Sequence, residues 1–108
     1  MGEAATFLLP SLKLKGRSSG GAPVEEEVHR FLVDTFGGYT AAAGNIFGYW
    51  VGPDGRQSYG EHRQFMVAVD DAKRALLVEF LAKIARELDE ESILLQTSSG
   101  VSVVWAQK

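Results

Sequence analysis

The apolar residues of this chain repeat with two different periods, and the order in which those periods alternate leaves few folds open. Period two marks a half-buried strand, and period 3.6 an amphipathic helix. Residues 6–15 open with strand character, Leu12 and Leu14 alternating with Lys13 and Lys15. Pro10 lies inside this stretch without a backbone donor, which predicts an edge strand or a bulge there. Helical spacing follows at Val24, Val28, Phe31, Leu32 and Phe36. Pro23 suits a first-turn position, Glu25, Glu26 and Glu27 oppose the positive end of the helix dipole, and Gly37-Gly38 ends the helix. Residues 39–51 predict a long strand. Tyr39, Ala41, Ala43, Phe47, Tyr49 and Val51 share one parity, interrupted by Asn45, and Gly44 and Gly48 share the other with Ile46 and Trp50. Glycines inside a strand signal a bulge, a bend, or the close approach of another backbone or a ligand. Gly52-Pro53-Asp54-Gly55 is a turn, Pro fixing φ and Gly accepting the left-handed region. Residues 61–69 form the next strand, with Phe65, Val67 and Val69 on one face. Asp70 is a suitable N-cap for a second helix, whose apolar stripe is Leu77, Leu81, Ile84 and Leu88, widened by Leu76 and Phe80. Residues 92–97 and 101–106 make a hairpin around Ser98-Ser99-Gly100.

The order β-α-β-β-α-β-β predicts an α+β domain of ferredoxin-like type with an extra C-terminal strand. Its antiparallel sheet carries both helices on one face. The other face is uncovered unless something packs on it, and Trp50 and Trp105 are candidates for that side. An exposed apolar sheet face on a small domain predicts an oligomer. A chain of 108 residues, 45% apolar, suits one compact domain over residues 1–108.

Composition removes several function classes. There is no cysteine, hence no disulfide scaffold, thiolate zinc site or cysteine nucleophile. The net charge is −3 with no basic run, which argues against nucleic acid as a partner. No apolar stretch approaches the roughly 20 residues of a membrane span. The start of the chain has no charged-then-apolar signal pattern, so a cytoplasmic location is expected.

The chemical inventory is short. His29 lies on an acidic helix face with Glu25, Glu26 and Arg30, and reads as a surface residue. His62 follows Glu61, but consecutive strand residues point to opposite faces, which weakens an acid–base pair. A metal site lacks a third ligand at suitable spacing, so none is expected. The Gly/Ser stretch of residues 16–23 precedes a helix, yet it has neither the Gly-Lys-Ser/Thr of a nucleotide loop nor a dinucleotide fingerprint. Three glutamates in the first turn would repel phosphate, and the stretch reads as a mobile loop. Tyr39, Phe47, Tyr49, Trp50 and Tyr59 cluster around the second strand and its exit, with Glu61 close behind. Aromatic faces beside a carboxylate suit an organic cation, and they equally suit ordinary sheet packing. Gln96 follows Ile93-Leu94-Leu95 and is either a hydrogen-bonding site residue or the solvent face of an alternating strand.

Gly38-Tyr39-Thr40, Gly48-Tyr49-Trp50 and Glu61 resemble features of small trimeric PII-like proteins, which share this element order and bind nucleotides or metabolites between subunits. Residues 46–106 resemble, more narrowly, the bacteriophage S-adenosylmethionine (SAM) lyases, long called SAM hydrolases. The matching features are Gly48 and Tyr49, a variable polar loop, Glu61 opening a strand, and a helix with Ala72, Ala75, Leu76, Leu81 and Ala82. Glu90 and Glu91, Gln96, and the closing Val103-Val104-Trp105-Ala106 complete the likeness. The resemblance implies a reaction in which the substrate's own carboxylate displaces the thioether, giving homoserine lactone and 5′-methylthioadenosine. That reaction needs no protein nucleophile, cofactor or metal, because intramolecular geometry can supply about 7–11 kcal/mol. It implies that Glu61 is the catalytic residue, holding the amino group or sulfonium side, that Gln96 hydrogen-bonds polar substrate atoms, and that Tyr49 and Tyr39 bind substrate. It also implies a homotrimer with SAM sites between subunits. The alternative expectation is a non-catalytic PII-like module that binds a nucleotide or metabolite.

Overall fold

The computed structural model describes residues 2–17 and 20–108, with Trp50 described by its backbone alone. Ser18 and Ser19, within the Gly/Ser stretch, and the side of the sheet that Trp50 takes therefore lie outside the described residues.

Seven principal elements follow in order: β1 (Gly2–Pro10), α1 (Val24–Phe36), β2 (Thr40–Val51), β3 (Gln57–Asp70), α2 (Arg74–Glu87), β4 (Ser92–Thr97) and β5 (Gly100–Trp105). The strands form one antiparallel sheet in the order β2-β3-β1-β4-β5. This is the predicted ferredoxin-like arrangement, with β5 added beyond β4. Phe7 of β1 lies opposite Phe65 of β3 and Leu95 of β4, and all three are buried. That parity faces the helices. Val28 and Leu32 of α1 and Leu77, Leu81 and Ile84 of α2 close over it. The stacking of Phe31 on Phe80, with ring centroids 3.8 Å apart, joins the two helices.

Several expectations need correction. The first strand covers Gly2–Pro10 rather than residues 6–15, and Lys13–Lys15 form a 3-10 turn. Leu12 and Leu14 would share a face in a strand, but Leu14 is buried while Leu12 is 82% exposed. β1 is also the middle strand, not an edge. Pro10 is tolerated because it is the last residue, opposite His62, where the pairing with β4 at Thr6 and Phe7 has already ended.

β3 begins at Gln57, so the polar residues before Glu61 belong to the strand. The connection shrinks to a tight turn in which Gly55 takes φ 80° and its N–H donates to the Gly52 carbonyl at 3.0 Å. Of the strand glycines, Gly44 lies where the β2–β3 register shifts, between Ala41 and Asn45, whereas Gly48 stays in regular register opposite Gly60. Asp70 makes no capping bond, and a 3-10 turn over Asp71–Lys73 separates it from α2. Leu76 is exposed, so the α2 stripe is widened by Phe80 and not by Leu76. Gly37 ends α1 as expected, at φ 86° with its N–H on the Val33 carbonyl.

Candidate functional site

The helices do not cover the whole of their own side of the sheet. Arg63 of β3 reaches Glu25 in the first turn of α1 at 2.6 Å, which marks where the cover stops. Beyond that pair the β2–β3 ribbon continues toward its turn. Phe47 lies opposite Glu61, and Tyr49 opposite Tyr59. With period-two alternation these four share the parity of Phe65, so they project on the helix side but past the helices. Phe47 stacks on Tyr59 with centroids 6.0 Å apart and planes 10° apart, and Tyr49 leans on Tyr59 at 5.2 Å. The rings are open to solvent, Tyr49 most of all at 75%. Desolvation by its neighbours, then the Glu61 carboxylate and Tyr49, holds the Tyr59 phenol above its ordinary value, leaving a neutral hydroxyl beside a carboxylate. Ring faces and a carboxylate within one ribbon suit an organic cation: the ring quadrupoles and the negative charge attract the same sign.

The structure thus brings together two of the residues named from sequence, Tyr49 and Glu61. Gln96 lies opposite Thr6 and Val101, on the parity away from the core, so it projects from the opposite face of the sheet. Tyr39 stands at the other end of β2. Its hydroxyl is 2.8 Å from His29 Nδ1, and its ring packs on Phe65. His62 also faces away from Glu61, as strand alternation requires. Burial pushes its imidazole below the ordinary value, against the opposing pull of Glu90 and of a hydrogen bond with the Gly60 backbone. Among the described residues, no three His, Asp or Glu side chains converge as a metal site would require. The stacked Phe47–Tyr59 pair was hidden because residues 57–60 read as a connection. The usable signal was the hairpin turn, which sets the register backwards from Gly52.

Across its whole length the chain resembles two solved structures. One is a phage SAM lyase in complex with S-methyl-5′-thioadenosine, at TM-score 0.58 and 13% identity, covering 97% of this chain and 90% of that one. The other is a phage SAM lyase in the apo state, at TM-score 0.61 and 12% identity, covering 99% of this chain and 91% of that one. The fold is that of the phage SAM lyases. No protein-family model and no curated protein matches the sequence. The likeness to the lyase structures spans residues before Ile46 as well, a region where the sequence carried little of it. It reaches the ribbon, the helices and the β4–β5 hairpin in one superposition.

Proposed function

We propose that this protein degrades S-adenosylmethionine as a lyase, and that its active site is completed only between copies of the chain. The observation that carries the reading is Glu61 on a ribbon walled by Phe47, Tyr49 and Tyr59, a face suited to a sulfonium or ammonium group. The fold shared with the phage SAM lyases supports it. In the reaction a substrate carboxylate oxygen bonds to Cγ while the Cγ–S bond breaks. The electron pair goes to sulfur, the positive charge vanishes, and homoserine lactone and 5′-methylthioadenosine leave. The protein must hold the carboxylate in line with Cγ and exclude competing conformers. A carboxylate near the sulfonium stabilises the charged ground state, so Glu61 acts through position more than through charge.

Gln96 and Glu61 project from opposite faces of one sheet, so a pocket that uses both must join two copies. The face that carries Gln96 also exposes Leu94, Val101, Val103 and Trp105, an apolar surface that a monomer would leave wet. A homotrimer with sites between subunits satisfies both demands, with Tyr49 and Glu61 from one copy and Gln96 from the next. Tyr39, at the far end of β2, lines a shallow recess with Gly2, Thr40 and Met66 and would reach substrate only from a neighbouring copy.

The test is incubation with SAM in ¹⁸O-labelled water, with products read by mass spectrometry. Homoserine lactone and 5′-methylthioadenosine are expected. Homoserine released directly with solvent oxygen would mean hydrolysis. No product, with a thermal shift on adding a nucleotide, would replace the lyase by the binding module.

A further inference from the structure

We propose that Arg63 receives the substrate's α-carboxylate, the group that attacks Cγ, and that Glu25 shares the guanidinium charge so that the carboxylate is held without being quenched. The inference rests on the reading above that the substrate is an amino-acid sulfonium, and it adds how the attacking group is oriented.

A carboxylate that is free to turn is seldom in line with Cγ, so the reaction gains from a donor that fixes it. Arg63 is the one Lys or Arg within β2 and β3. It stands two residues from Glu61 on the same face of β3, which sets the two Cα atoms about 7 Å apart. A cationic and an anionic side chain at that spacing suit the carboxylate and ammonium carried on one carbon. Between them the Ser11 hydroxyl donates to Asn45 Oδ1 at 2.7 Å. Ser11 lies beside Glu61, its N–H donating to the Glu61 carbonyl, and Asn45 lies opposite Arg63, so this bond crosses β3 between the two charges. It uses only the Asn45 oxygen, which leaves the amide NH2 as a second donor for a carboxylate. Asn45 takes this place where the β2–β3 register shifts, and such irregularities re-aim side chains.

The contact with Glu25 sets how strongly Arg63 binds. One guanidinium nitrogen is engaged by Glu25 at 2.6 Å, and the fork has further N–H donors. The two side chains are 38% and 45% exposed, so a ligand can reach them. As the carboxylate oxygen bonds to Cγ, its negative charge disappears together with the positive charge on sulfur. A bare guanidinium would therefore stabilise the ground state more than the transition state and slow the step. With Glu25 attached, the fork keeps its directional donors and loses part of its field.

The experiment measures two ligands by calorimetry, with SAM turnover alongside. S-adenosylhomocysteine keeps the ammonium and carboxylate, and 5′-methylthioadenosine has neither. In Arg63→Gln, S-adenosylhomocysteine should bind roughly tenfold more weakly while 5′-methylthioadenosine is unchanged, and KM for SAM should rise. In Glu25→Gln, S-adenosylhomocysteine should bind more tightly, and KM and kcat for SAM should both fall. Circular dichroism and sedimentation check folding and assembly. Equal weakening of both ligands in Arg63→Gln, or of neither, would overturn the proposal. If Arg63→Gln does not fold, Glu25→Gln decides: S-adenosylhomocysteine bound no more tightly than by the unaltered protein would overturn it. Turnover with S-adenosylhomocysteine binding independent of Arg63 would leave the lyase standing and remove Arg63 from the site. Binding that depends on Arg63 without turnover would keep Arg63 as a carboxylate receiver and remove the lyase.

Discussion

Glu61 sits two residues from Tyr59 and two from Arg63 on one face of β3, and the two neighbours define its role. Arg63 is engaged by Glu25, while Tyr59 extends the aromatic wall toward the turn. Glu61→Gln keeps the shape and removes the charge. If the carboxylate positions the substrate, SAM turnover should fall by about 10²-fold, the size of loss a small misplacement causes. Steady-state kinetics with an unchanged kcat/KM would take Glu61 out of the site. His62, on the opposite face, predicts a pH effect. Its imidazole is held below its ordinary 6.5 in the folded chain, so the unfolded chain takes up the proton first as pH drops. Stability is then complete above about pH 6.5 and is lost as pH falls toward the folded value. Melting temperatures recorded from pH 8 to pH 5 should decline, and His62→Gln should decline less. An equal decline in the variant would assign the effect to other groups.

Among the elements, the helices are the most secure because the centres of their stripes are buried, Val28 and Leu32 in α1 and Leu77, Leu81 and Ile84 in α2. Leu81 is fully buried beneath α2, and Leu81→Ala should cost about 2–5 kcal/mol in denaturant unfolding. Leu12, exposed beside the 3-10 turn, should cost within about 0.5 kcal/mol on the same change. That contrast also tests the corrected first strand, since a strand over residues 6–15 would put Leu12 and Leu14 on the same face. The strands are less legible in the sequence than the helices. β1 is apolar on both faces at Phe7, Leu8 and Leu9, so its alternation is blurred and the Lys-flanked leucines after it look more strand-like. The start of β3 was missed because its first residues are polar and its partner is the exposed end of β2. Pairing across a hairpin, rather than side-chain pattern, makes that segment a strand.

At the scale of the whole molecule, the uncovered sheet face connects the fold to the proposed assembly. Val103 projects from that face, half exposed, at mid-strand on the edge strand β5. A lysine there places a charge where a second copy would pack, while the helix-side core is untouched. Val103→Lys should shift sedimentation from the trimer to the monomer with the circular dichroism spectrum retained. A monomer in the unaltered protein would instead leave that face as solvent surface. The order of periods along the chain was enough for the element sequence, the α+β class and the split β-α-β topology. Antiparallel pairing and right-handed β-α-β crossovers leave few alternatives once the elements are ordered. The aromatic residues and Glu61 could be named from sequence because residue type declares their chemistry. Which of them meet was settled by register. One pairing step sets the side of every residue in a strand, so Tyr49 and Glu61 share a ribbon while Gln96 looks the other way. The bond from Ser11 to Asn45 across β3 likewise belongs to tertiary structure alone, because its two ends lie 34 residues apart in the chain.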